Sequence, residues 1–328
     1  MEIQRKPPRD RGSMKKGDCD TMKKFLALIL TLAMALSVTA CGGSDDTADD
    51  ATDGEGSGTE ETADYASMTD DELKAAITTV EGGKLIVATS PDFAPYEFYS
   101  IDESGNAQLA GFDIALSQYI ADYLGLELVV NPMDFNGVLT ELQTKHADLG
   151  MAGLSPDPER EGIMDFSDIY YTGGQSLVTV KDNADKFNSF EAINKSDVSV
   201  GAQTGSIQLD LANTNSPDAD IVSLPKVTDI ISELLAGKLD AAYIETDVAK
   251  SYQQNYPELE IVMDVPYESK GSAIGVSKGN ESLMAGVNEA IAQAIEDGSM
   301  EKFIADANEQ ASGNTYEGLL DSEGNVQQ

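Results

Sequence analysis

Few residues in this chain have side chains able to do chemistry, and they are widely spaced. "AGLSPDPER", residues 152–160, ends in Arg160, and the only other arginines lie within the first 11 residues. A guanidinium offers two parallel N–H donors to a carboxylate, which an ammonium cannot do. Every basic residue after residue 40 except Arg160 and the single histidine, His146, is a lysine. A solvated ion pair is worth only ~0–1 kcal/mol, which gives such a chain little reason to use arginine. On the residues alone, simple pairing of Arg160 with one of the many surface acids stays open. "TGSIQ" (204–208) precedes a predicted helix, and the free N–H groups of a helix start attract anions, although an ordinary cap would read the same way. The two cysteines, Cys19 and Cys41, and the lone His146 exclude a Cys-based metal site and a histidine cluster. For want of those ligands no metal or cofactor is expected, and the absence of a nucleophile elbow argues against an enzyme.

The elements that must position these groups alternate between strands and helices, the pattern of an α/β fold. The body begins near Lys84 with the apolar strand "KLIVATS" and ends near Gly313. "GFDIALSQYIADYLG" (111–125) places Leu116, Tyr119, Ile120, Tyr123 and Leu124 at helical spacing and stops at Gly125; "LELVV" follows as a strand. "GVLTELQTKHADLGMAG" (137–153) and "DIISELLAGKLDAAYIE" (229–245) echo one another as helix, lysine-bearing turn, aspartate and apolar strand, with a lysine-to-aspartate spacing that differs by one residue. Ligands in open α/β sheets sit beyond the C-terminal ends of the strands. The two strand ends expected here, Gly153-Leu154-Ser155 and Glu245, therefore face a common cleft. Ahead of the body, residues 67–83 carry a Thr69–Glu72 capping-box pattern and predict a short leading helix.

The chain holds 21 Lys and Arg against 58 Asp and Glu, a net charge of −37, which excludes nucleic-acid binding for want of clustered cations. A hydrophobic fraction of 41% allows a substantial core. "MKKFLALILTLAMALSVTAC" (22–41) has two lysines, an apolar run of 15 residues from Phe25 to Thr39, then small residues before a cysteine. That is a secretory signal, too short for a span of about 20 residues. Its end, "VTAC", resembles a bacterial lipobox, which makes Cys41 the lipidated N-terminus of the mature protein. Residues 1–40 are then an upstream extension and signal peptide, with Met22 a complete start by itself. Removing them takes eight basic and four acidic residues and leaves 13 against 54. Residues 41–66, rich in Gly, Ser, Thr and acid, read as a flexible tether, and residues 313–328 as a polar tail.

"SPDFAPYEF", "GFDIALSQYIADYLG", "LSPDPER", "MDFSDIYY", "VGAQTGSIQ", "LDAAYIE" and "SAIGVSKG", in that order, resemble the amino-acid-binding family of solute-binding proteins that serve ABC importers, from about Lys84 to Asn308. The resemblance implies a two-lobed, periplasmic-binding-protein-like (Venus flytrap) fold with two hinge strands. Residues 84–171 and 276–312 would form lobe 1, and residues 175–271 lobe 2. It assigns Arg160 to the ligand α-carboxylate, with the backbone amides of Ser155, Ser206 and Ile207 beside it. The Ser155 hydroxyl, the Gly153 carbonyl and Glu245, where the family more often has aspartate, would hold the α-ammonium. Phe93 and Phe135 become walls for the ligand side chain, Gln203 faces that side chain, and Tyr96, Glu97 and Phe98 shape its pocket. Asp113 and Asp165 read as structural acids. The two prolines after Ser155 depart from the family pattern.

The function implied is that of a monomeric extracytoplasmic lipoprotein on the outer face of the cell membrane. It would bind a free polar or basic L-amino acid between two closing lobes and deliver it to an importer permease driven by a cytoplasmic ATPase. Recognition groups without catalytic machinery favour a binding protein. The alternatives are a prephenate- or arogenate-type dehydratase of the same fold, and a ligand-sensing binding protein.

Overall fold

A computed structural model of the protein describes residues 64–101, 105–269 and 271–312. The signal segment, Cys41, nearly all of the 41–66 tether and the 313–328 tail lie outside the described residues. Helix α1 (Asp70–Ala76) is entered through the expected capping box: the Thr69 hydroxyl accepts from Glu72 N–H while the Glu72 carboxylate accepts from Thr69 N–H. It is shorter than the 67–83 segment that carries it, because Ile77 is already extended.

The chain continues through β1 (Lys84–Thr89), β2 (Asp92–Phe93), β3 (Glu97–Ile101) and β4 (Ala107–Ala110) to α2 (Phe112–Leu124). Next come β5 (Glu127–Pro132), α3 (Phe135–Gln143), β6 (Leu149–Gly150) and β7 (Met164–Tyr171). In α2 the predicted periodicity becomes burial: Leu116, Ile120 and Leu124 are core, Tyr119 and Tyr123 pack beside them, and Gly125 ends the helix at φ +71°. A second run holds β8 (Gln175–Val180), α4 (Phe190–Ile193), β9 (Ser199–Gln203), α5 (Ile207–Asn215) and β10 (Asp220–Leu224). It goes on with α6 (Val227–Leu235), β11 (Ala241–Glu245), α7 (Thr246–Asn255) and β12 (Leu259–Asp264). The chain closes on β13 (Ser272–Ser277), α8 (Glu281–Glu296) and α9 (Ser299–Ala311).

Two five-stranded sheets result, ordered β5-β1-β6-β13-β7 and β10-β9-β11-β8-β12. Each has three parallel strands, the first flanked by the second and third, followed by two antiparallel strands. The chain passes from one sheet to the other through residues 172–174 and returns through 265–271. The largest apolar cluster runs from Leu85 and Val87 in the first sheet through Tyr96 to Ile244 and Tyr252 in the second lobe. The two lobes are therefore apposed, with the parallel strand ends directed at one another.

The echoed segments occupy equivalent places. Asp148 N–H donates to the Ile86 carbonyl and its carboxylate accepts from Ile86 N–H, both at 2.8 Å. Asp240 does the same with Ser199, at 2.8 and 2.9 Å. In each, the residue before β6 or β11 ties the turn to the central parallel strand. The left-handed residue after the helix is Lys145 (φ +57°) in one and Gly237 (φ +69°) in the other. Lys145 thus corresponds to Gly237 and not to Lys238, which explains the one-residue difference in lysine spacing. Strand β6 itself stops at Gly150, earlier than the Gly153-Leu154-Ser155 end expected, and Met151 N–H makes a last bond to Ala88.

Candidate ligand-binding site

A short antiparallel sheet, β2-β3-β4, stands over the end of β1, pairing Asp92 with Phe98 and Phe93 with Glu97. The start of α2 holds it there: Phe112 N–H donates to the Pro95 carbonyl and Asp113 N–H to that of Tyr96. A Cβ on Gly111 (φ +114°) would lie 2.1 Å from the Tyr96 carbonyl oxygen, so the "GFD" turn requires glycine. Asp113, fully buried, accepts from Gly153 N–H (3.2 Å) and from the Tyr170 hydroxyl (2.7 Å), the structural role read for it. Asp165 is likewise structural, accepting from Lys278 and from Gly279 N–H. Gly153 has φ +56°, and a Cβ there would meet the Phe93 ring at 2.7 Å. These contacts bring Phe93 and Gly153 together against Asp113.

Arg160 is only 7% exposed, although it lies in the turn that follows two prolines. Its Nη2 donates to the Gly205 carbonyl (3.0 Å) on the second lobe and its Nη1 more weakly to Ser155 (3.4 Å), while the guanidinium lies 5.6 Å from the Phe135 ring centre. None of the ion pairs among the described residues includes it. Desolvation lowers its pKa, opposed by the more distant charges of Asp157, Asp210 and Glu159. A surface ion pair is thus not what holds this arginine.

Facing it, α5 begins at Ser206, whose hydroxyl accepts from Leu209 N–H and donates to the Gln203 carbonyl (2.8 Å). Ser206 N–H closes a turn onto Gln203, whereas Ile207, the first helical residue, has no intrahelical acceptor for its N–H. The buried Gln203 amide reaches Asp92 and the Pro225 carbonyl, each at 3.4 Å.

Glu245 ends β11 and caps α7, accepting from Asp247 N–H (2.7 Å), Val248 N–H (2.8 Å) and, across the crossover, Gly174 N–H (3.2 Å). Burial raises its pKa to about 7 despite those bonds. Asp92 and Asp113 are each raised to about 6, again mainly by burial. Glu97 is fully buried with neither carboxylate oxygen hydrogen-bonded as an anion. Burial first, then the charges of Asp113 and Asp92, lift it well above the ordinary carboxylate range. The site therefore gathers four carboxyl groups that all resist ionisation.

The structure brings Phe93, Phe135, Gly153, Ser155, Arg160, Gln203, Ser206, Ile207 and Glu245 to the line where the lobes meet, every one of them buried or next to a buried neighbour. Sequence reading counts Asp92 only as a nearby negative charge that disfavours an acidic ligand, not among the site residues, whereas it bonds to both Gln203 and Val227 N–H across the cleft. The signal available for it was the missing Ser, Thr, Asp or Asn before α6, where Lys226 stands as N-cap.

Residues 85–307 match the model of the bacterial extracellular solute-binding proteins, family 3. The chain belongs to that family. This solute-binding protein is 31% identical over 286 residues to the arginine-binding extracellular protein ArtP of Bacillus subtilis (strain 168), covering 86% of this chain and 96% of that one. Among solved structures, the amino acid ABC transporter substrate-binding protein AbpA of Streptococcus pneumoniae Canada MDR_19A, bound to L-arginine, superposes with a TM-score of 0.68 at 34% identity, covering 74% of this chain and 99% of that one. The cyclohexadienyl dehydratase of Pseudomonas aeruginosa (strain PAO1) is 29% identical over 180 residues, 55% of this chain and 66% of that one. The two-lobed α/β architecture is that of these binding proteins.

Proposed function

We propose that this solute-binding protein captures a free L-amino acid with a basic or polar side chain, L-arginine foremost, and delivers it to the permease of an ABC importer. Arg160 carries the reading: a buried guanidinium without a carboxylate in ion-pair range is costly unless a ligand supplies one. The ligand α-carboxylate would sit between Arg160, Ser155 and the start of α5, where Ile207 offers its N–H. The α-ammonium would meet Glu245, the Ser155 hydroxyl and the Gly153 carbonyl. Its side chain would run between Phe93 and Phe135, whose ring faces suit a guanidinium, toward Gln203. The arginine bound by AbpA and named for ArtP agrees with this choice.

Thermal-shift screening of the 20 amino acids against protein refolded to strip bound ligand tests it. Arginine at a thousandfold excess over Kd should stabilise by about 4 kcal/mol, and acidic amino acids should leave the transition unmoved. Absence of a shift with every amino acid sinks the reading.

One observation favours a second reading. A carboxyl group with a pKa of about 7, as at Glu245, is what a general acid needs, and a dehydratase stands among the relatives. Incubation with prephenate or arogenate distinguishes the two, since product in excess of protein would require the enzyme.

The protein is held to the membrane by lipid on Cys41, on the strength of "VTAC" and the acidic tether. Two or more acyl chains give stable membrane attachment where one is marginal. Cys41→Ser should therefore release protein from the membrane fraction or accumulate precursor; fractionation identical to wild type would exclude the anchor.

A further inference from the structure

Helices α3, α5, α7 and α8 each begin with a residue whose own side chain accepts from a first-turn N–H. Helix α6 does not: its N-cap is Lys226, which offers no acceptor. The Val227 N–H at its start instead donates to Asp92 Oδ2, 2.5 Å away and 135 positions earlier, on the other lobe. Asp92 is 9% exposed and is held for this task by the Ser90 hydroxyl on its Oδ1 (2.8 Å). Two further bonds from the second lobe converge on the same residue, Gln203 Nε2 to Oδ2 (3.4 Å) and the Tyr252 hydroxyl to the Asp92 carbonyl (3.1 Å).

We infer that Asp92 is a positioning residue for closure: it caps α6 across the cleft, so that the helix has its N-terminal acceptor only when the lobes meet. This rests on the solute-binding reading for its consequence in affinity, but the contact itself involves no ligand. An open protein leaves the α6 start and the Asp92 carboxylate to water. A closed one exchanges those for a charge-assisted bond aligned with the helix dipole. Asp92 therefore strengthens the binding of every ligand by the same factor, through the closed population and not through ligand contact.

The test uses Asp92→Ala and Val227→Pro with L-arginine, L-lysine and L-glutamine in calorimetry, and small-angle scattering without ligand. Proline is well tolerated at the first helical position, and Lys226 before it is already extended (φ −125°, ψ 142°), so Val227→Pro removes the donor while sparing the helix. Hydrogen bonds to charged groups predict roughly ten- to hundredfold weaker binding for either variant. The loss should be equal for each amino acid that binds, and the double variant should be no weaker than the single ones within about threefold. Losses that multiply in the double variant, that differ by ligand side chain, or that stay under threefold in Asp92→Ala overturn the inference. Should Val227→Pro not fold, equal loss across ligands in Asp92→Ala decides. If the wild type binds none of the three, the solute reading fails separately, and the scattering decides the closure role: a larger radius of gyration for Asp92→Ala supports it, and an unchanged one overturns it.

Discussion

Arg160→Ala should bind arginine roughly 30-fold to several-thousandfold more weakly than wild type while remaining folded. Truncating one partner of a buried charge pair costs ~2–5 kcal/mol, and ~1.4 kcal/mol is a factor of ten. The loss should lie at that scale because the guanidinium is desolvated, stacked near Phe135 and already donating to Gly205 and Ser155, so no other group can turn to replace it. Arg160→Lys should recover only part, since a point charge cannot make the two parallel bonds. Lys302→Ala, removing an exposed cation on α9 paired with Asp306, serves as the control and should be nearly silent. Calorimetry that returns Arg160→Ala within threefold of wild type would dismantle the site built around it.

Glu245→Gln should cost a comparable factor at pH 7.5 and much less at pH 5.5, because the carboxyl group is raised to about 7 and is itself largely protonated at the lower pH. The sign follows from linkage. An acid with a raised pKa in the folded protein holds its proton longer than the unfolded chain does, so the stability it contributes is full below about 4.5 and is lost as pH rises through about 7. Asp92 and Asp113, raised to about 6, act in the same direction. The ligand-free protein should therefore melt higher at pH 5.5 than at pH 7.5, and Glu245→Gln should reduce that difference. Binding runs the other way. An α-ammonium favours the ionised carboxylate, so capture near pH 6 releases a proton and wild-type affinity rises between about pH 5 and 7.5 by at most one log unit per pH unit, then levels. Calorimetry in buffers of different ionisation enthalpy counts that proton directly; a wild-type affinity flat across this range would remove Glu245 from the ammonium site.

Some of this protein was determined by sequence alone. The α2 span and its stop at Gly125, the capping box at Thr69 and Glu72, and strand β1 follow from periods of 3.6 and 2 and from hydrogen bonds closed within three or four residues. The order of seven motifs was enough to point to the family. The tertiary structure decided the rest. The shortness of β6 depends on which strands flank it, and the match of Lys145 with Gly237 on two turns meeting two different central strands. Whether Arg160 is a surface charge or a buried one depends on Gly205 arriving from the other lobe. The cap that Asp92 lends to α6 and the bond from Arg160 to Gly205 join residues 135 and 45 positions apart. No local pattern encodes such pairs, because the bond exists only once two sheets have folded and their strand ends have been brought face to face.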